Sequence, residues 1–225
     1  MTHPLDKLIA TVTAPDERDK QTRIGPSSLG KQCALCLAEE MLGNKQEQTF
    51  SLYPWYGTAM HLWLEQNERD PTIETERRVE VGTIKGYGRI TGTCDRYDHE
   101  HSQVGDYKLV GKNSMKNIKN GYMRLPDGRV EFIENQALEY YVQIQAYGVG
   151  MANEGFEVKT VALYLFPRDS MSVSGITMVE FPFNPDIVYA YMERAADIYE
   201  YAQAYGTEDI EGDPDCWGCR REGRY

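Results

Sequence analysis

Apolar and polar positions along this chain change period from segment to segment, and those changes mark out its elements. Ser27 or Ser28 can cap a helix running to about Leu42, with Gly43-Asn44 as its stop. A second helix is expected over about 54–68, with Pro54 near its start, where a missing N–H costs little. Three strand-like runs follow at roughly 76–84, 87–98 and 103–110, and the polar stretch 99–102 suits a hairpin between the last two. Residues 111–130 read as a basic loop containing Gly121 and the turn Pro126-Asp127-Gly128. A long helix is expected over about 132–153, then strands at 156–167 and 172–183. Asn184-Pro185-Asp186 next supplies a cap, a first-turn proline and a dipole-compatible acid for a helix to about Tyr205. The order α, α, βββ, α, ββ, α predicts an α/β (mixed α+β) fold, a central mixed sheet flanked by helices. Residues 1–24 read as a flexible polar arm and 25–225 as one domain.

Composition adds limits. A chain of 225 residues with 41% hydrophobic content can bury a substantial core, and its mean hydropathy of −0.58 is that of a soluble globular protein. No apolar run approaches the roughly 18 residues of a membrane span. The N-terminus lacks the basic start and long apolar stretch of a signal peptide, so a cytoplasmic location without membrane attachment is expected. The net charge of −11 argues against a nucleic-acid partner only on average. Positions 108–129 hold six basic residues and one acid, whereas 186–215 hold nine acids and one base. A local basic stretch can guide a phosphate backbone even on an acidic protein; as a solvated loop it would have no such role.

Candidate chemistry centres on GTCD, ending at Asp95, and on Asp106-Tyr107-Lys108 in the next run. Asp95 and Asp106 offer hard oxygen ligands for Mg²⁺ or Mn²⁺. Lys108, two residues past Asp106, shares its strand face and can orient an attacking water or balance charge on phosphorus. On the second expected helix His61 and Glu65 lie four apart on one face, either as metal ligands or as an ordinary partly buried His–Glu pair. Gln143 and Tyr147 are likewise four apart and can engage phosphate or base, or belong to an aromatic core stripe with Tyr140 and Tyr141.

Taken in order, GTAMH (ending at His61), GTCD, DYK and QIQAY (Gln143 to Tyr147) resemble the PD-(D/E)XK nuclease superfamily, and more narrowly its RecB-like exonucleases, including those of CRISPR loci and phages. The resemblance runs from about Ser27 to the C-terminus. It implies a restriction-endonuclease-like core and a metal-dependent DNA exonuclease acting on single-stranded ends in recombination, repair or phage DNA processing. It also implies metal ligands at His61, Asp95, Asp106 and the Tyr107 carbonyl, with Lys108 as the catalytic lysine. Gln143 and Tyr147 match a Q-x-x-x-Y motif linked to DNA handling, and Lys112, Lys116 and Lys119 fit the same role. A helicase, recombination or integration complex is a possible class of partner. Two other readings are a catalytically inactive nucleic-acid-binding module, and an unrelated enzyme whose acids merely pair with nearby bases.

Of five cysteines, four form two C-x-x-C pairs, Cys33/Cys36 and Cys216/Cys219, within 27–42 and 206–225. In a cytosolic protein such pairs more often bind metal than form disulfides, and four thiolates could join the two ends of the chain around zinc or an iron–sulfur cluster. RecB-like exonucleases often carry a [4Fe–4S] cluster on one early and three late cysteines, a pattern from which this two-plus-two split departs. Cys94 reads as a small buried residue of its strand.

Overall fold

The computed structural model describes residues 3–13, 23–44, 52–126, 129–170 and 172–225. Its centre is a five-stranded mixed sheet in the order β1-β2-β3-β6-β7, with β1 at Ile73–Ile84, β2 at Gly88–Asp98, β3 at Gln103–Val110, β6 at Thr160–Pro167 and β7 at Thr177–Pro182. Only the β3–β6 pair is parallel; the other three are antiparallel. The first three strands form a meander through the expected hairpin. Its turn ends at Ser102, whose φ of 50° is left-handed.

The parallel pair requires a crossover, and the chain makes it through α5 (Lys112–Asn120), a small hairpin of β4 (Tyr122–Arg124) and β5 (Val130–Phe132), and α6 (Asn135–Asn153). The loop expected over 111–130 is therefore largely ordered structure. Met115 and Ile118 turn inward, while Lys112, Lys116 and Lys119 follow one exposed side at helical spacing. Of the turn expected at 126–128, Asp127 and Gly128 lie outside the described residues. The long helix begins at Asn135, because Phe132 is paired with Tyr122 in the small hairpin.

Helix α6 is buried on nearly every side from Tyr141 to Met151. It lies across the sheet and separates two apolar clusters. One gathers Val104, Val161, Leu163, Leu165 and Phe181 from the sheet. The other joins Ile24, Leu29, Leu37, Val81, Ile90 and Val188, which bring in the N-terminal segment and the helix that starts at Pro185. Close approach depends on small residues: a Cβ at Gly150 would lie 2.5 Å from Val79 Cγ2. Gln145, fully buried in α6, donates to the Pro182 carbonyl (2.9 Å) and accepts from the Asn184 amide (2.8 Å), tying β7 to α7 (Pro185–Tyr205).

The single helix expected from Ser27 or Ser28 to Leu42 is two helices, α2 (Pro26–Leu29) and α3 (Ala34–Met41). Gly25 rather than a serine caps α2, and Cys33 caps α3. The break follows from packing, since a Cβ at Gly30 would meet the Glu139 backbone at 2.8 Å. Helix α4 (Leu52–Asn67) matches its expectation closely. Strands β6 and β7 begin later than expected, β7 after a single 3-10 turn at Val173–Gly175. Within the expected polar arm, α1 (Pro4–Val12) is helical with His3 as its cap. The tail ends in α8 (Trp217–Glu222). Among the described residues no helix is long and apolar enough to cross a membrane.

Gly150→Ala is expected to lower stability by about 1–3 kcal/mol, because Val79 must give way and the sheet behind it is tightly packed. Thermal melts of the variant against Gly155→Ala, where a Cβ meets nothing within 4 Å but φ is 92°, separate steric overlap from backbone strain. A Gly150→Ala melt indistinguishable from wild type would contradict the tight α6–sheet seam.

Candidate metal centre and cysteine cluster

Strands β2 and β3 part at the point where β1 and β2 skip one pair, and the acids sit there. The β1–β2 ladder pairs Thr75 with Arg96 and Arg77 with Cys94, skipping the Glu76–Asp95 position between them. The β2–β3 ladder runs only from Asp98–Gln103 to Arg96–Gly105. Beyond that, the Tyr107 amide donates to the Asp95 carboxylate at 2.7 Å rather than to a strand carbonyl. A side chain thus replaces a backbone acceptor, and the gap between strands becomes a polar notch lined by Asp95 and Asp106, both buried.

His61 reaches this notch from α4. Its Nε2 lies 3.1 Å from the Tyr107 carbonyl, and its Nδ1 lies 3.3 Å from Asp95 and 3.7 Å from Glu76. His61, Glu76 and Asp95 offer ligand atoms within 4.8 Å of one another, a set of donors suited to a divalent ion. Burial pushes the His61 imidazole down, but hydrogen bonds to Asp95 and Glu76 outweigh it and hold its pKa up at about 10. The acids thus concentrate negative charge where His61 stands, which favours its charged form.

Lys108 projects to the same face as Asp106, with Nζ 2.8 Å from Asp106 Oδ2 and 3.0 Å from Gln143 Oε1. Gln143 in turn donates to the Tyr147 hydroxyl at 3.3 Å, and the Tyr140 ring lies 5.0 Å from the ammonium. Burial pushes Lys108 down, yet the Asp106 carboxylate outweighs it and holds the ammonium charged. Burial lifts Asp106 to about 6, with Lys108 opposing the rise. Gln143 and Tyr147 are buried, bracing the lysine from below instead of standing at the surface.

The structure thus brings together His61, Asp95, Asp106, the Tyr107 carbonyl, Lys108, Gln143 and Tyr147. Lys112, Lys116 and Lys119 lie apart from them on α5, which starts two residues after β3 ends. Glu65 is exposed and is not the acid that meets His61.

Glu76 was not found from the sequence. It sits mid-strand with φ of 52°, a left-handed conformation that costs a non-glycine residue roughly 1 kcal/mol or more. In IETERRVEV the alternation that buries Val79 and Val81 fails at Arg77-Arg78. That lapse is the one trace of the irregularity in the sequence.

Apart from this site the two C-x-x-C pairs meet. Sγ–Sγ distances are 3.4 Å for Cys33–Cys219, 3.5 Å for Cys36–Cys216 and 3.6 Å for Cys36–Cys219. All four ligand atoms lie within 4.8 Å of one another. Cys94 is buried well away in the sheet, where burial pushes its thiol up.

No family model matches the sequence, and no curated protein matches it. Solved structures do match. A putative exonuclease from Eubacterium rectale aligns with a TM-score of 0.53 and 11% identity, covering 98% of this chain and 93% of that one. A phage-related exonuclease from Haemophilus somnus gives 0.49 at 15% identity, over 81% of this chain and 94% of its own. An alkaline exonuclease from Laribacter hongkongensis gives 0.48 at 13%, over 90% and 93%. At these identities the likeness is one of fold: the chain shares the fold of the Eubacterium rectale protein.

Glu76→Gln and His61→Ala are each expected to weaken Mn²⁺ binding by about tenfold or more, measured by titration calorimetry, while Glu65→Gln leaves it unchanged. Mn²⁺ binding unchanged in Glu76→Gln would remove Glu76 from the ligand set.

Proposed function

We propose that this protein is a metal-dependent deoxyribonuclease that hydrolyses phosphodiester bonds at DNA ends as an exonuclease, with single strands as the preferred substrate. The observation that carries the reading is a half-buried, charged Lys108 held between Asp106 and Gln143 beside the His61, Glu76 and Asp95 cluster. Structural ion pairs rarely place a lysine, three carboxylates and a histidine in one notch between diverging strands. The shared fold with a putative exonuclease supports the same reading.

His61, Asp95, Asp106, the Tyr107 carbonyl and Glu76 would hold Mg²⁺ or Mn²⁺. The donors fit a hard cation: four carry oxygen and one imidazole nitrogen, and three of them already converge within 4.8 Å. When bound, such an ion lowers the pKa of a water and neutralises phosphate oxygens. The chain's own contribution is positioning. Lys108 presents its ammonium to the scissile phosphate and the attacking water, Asp106 sets its direction, and Gln143 and Tyr147 prevent it from swinging away. The exposed lysines of α5 offer a cationic track for the strand as it approaches, so binding should weaken with salt. Recombination, repair or phage DNA processing are settings in which an end-dependent nuclease acts.

Lys108→Ala and Asp106→Asn are each expected to cut Mn²⁺-dependent degradation of end-labelled single-stranded DNA by about a hundred- to thousandfold, with DNA affinity retained. Gln143→Ala should lower the turnover rate more than it raises KM, since it acts through the lysine. Cleavage that survives both Lys108→Ala and Asp106→Asn would dismiss the site. Binding by the wild-type chain without any cleavage would leave a nucleic-acid-binding module instead.

A further inference from the structure

We infer that the four terminal cysteines hold a single tetrahedral zinc ion as a structural clasp, and not the [4Fe–4S] cluster that the fold's RecB-like members suggest. The inference concerns a second site and stands apart from the nuclease reading.

The sulfur positions decide between the two. In a zinc tetrathiolate each Zn–S bond is about 2.3 Å, so tetrahedral sulfurs sit about 3.8 Å from one another. A cubane interposes one iron behind each thiolate and spreads the four sulfurs to roughly 6 Å. Here three of the separations are 3.4, 3.5 and 3.6 Å, and all four sulfurs fall within 4.8 Å. A binuclear iron cluster is excluded on the same ground, because its two irons would hold two of the sulfurs away from the other two. The short contacts run between the two C-x-x-C pairs rather than within one, so the four sulfurs form one compact group.

Glycines let the backbone come close to the sulfurs. A Cβ at Gly218 would lie 3.5 Å from Cys36 Sγ and 3.8 Å from Cys216 Sγ. One at Gly212 would lie 3.0 Å from Cys219 Sγ and 1.6 Å from the Arg224 carbonyl, so only glycine fits beside that sulfur. The Cys36 amide faces Cys33 Sγ at 3.5 Å, an N–H···S contact common where thiolate charge is held. Cys33 and Cys219 are buried, and the Cys36 and Cys216 side chains are partly shielded, with Leu35 and Ile210 packed against them.

Such a clasp has mechanical work to do. The apolar cluster there is small, built from Cys33, Leu35 and Cys219 with a few partly buried neighbours, and cannot by itself hold the tail. Around it Arg224 pairs with Glu39, and Arg194 donates to the carbonyls of Lys31 (2.8 Å) and Gln32 (2.6 Å). An ion on the four sulfurs adds the missing bond between segments 186 residues apart in sequence.

The test is the metal content and colour of the full-length wild-type chain, purified anaerobically from cells supplied with both iron and zinc. One zinc per chain and no visible absorbance is the expected result. Iron, whether about four per chain in a brown sample or one per chain in a red one, overturns the assignment, as does the absence of any bound metal. Chelator treatment should lower Tm by at least about 5 °C, with recovery on adding Zn²⁺ but not Mg²⁺. Cobalt exchanged into the stripped protein should give the intense visible bands of a tetrahedral thiolate site, and Cys216→Ser should abolish them. If that variant fails to fold, the wild-type metal content and the cobalt spectrum still decide.

Discussion

The seat of α6 on the sheet is the contact from which the remainder of the molecule takes its positions. Because Gly150 lets the helix touch Val79, residues one and two turns earlier come within hydrogen-bonding reach of β3, and Gln143 can accept from Lys108. The same depth puts Gln145 where it satisfies both the end of β7 and the start of α7. It also brings Glu139 against Gly30, which fixes α2 and so the approach of the first cysteine pair. A helix lifted by the thickness of one methyl group would disturb the lysine's brace, the β7–α7 corner and the N-terminal segment together.

The notch at Asp95 runs against the usual economy of a protein interior. Two acids are buried there beside a half-buried lysine, an arrangement whose desolvation cost is met only by dense pairing and hydrogen bonding. Pairing is supplied unevenly. Asp95 receives the Tyr107 amide and the imidazole, Lys108 receives Asp106 and Gln143, and Glu76 is turned in by a strained backbone. Negative charge is left in excess, which is what a protein must accept if it is to draw in a cation and a phosphate in turn.

Much of this was legible in the sequence. The meander was readable because its strands are bounded by turn residues, and α6 because its long apolar stretch has helical length. Asp95, Asp106 and Lys108 announced themselves by the strand period, and His61 by its place in GTAMH. Glu76 was hidden, since a left-handed residue inside a strand obeys no period, and Glu65 four residues from His61 looked the better partner. The division of α2 from α3 was equally invisible, because Gly30 yields to a backbone more than a hundred residues away. Helix α5 was misread as a loop since its lysines and asparagines mask the two apolar residues, Met115 and Ile118, that anchor it.

The crossover between β3 and β6 has a consequence for how the protein comes to be folded. Strands β1 to β3 are neighbours in sequence and can zip together as soon as they are made. The parallel partner of β3 starts at Thr160, after two helices and a hairpin, so that pairing closes a loop of about fifty residues and is entropically late. A chain emerging from the ribosome would carry Asp95, Asp106 and Lys108 on a meander with one bare edge well before Gln143 arrives beneath them. The edge of β3 in that interval is an open template for foreign strands, and the rate at which α6 and β6 cover it sets how much of the chain reaches the native state.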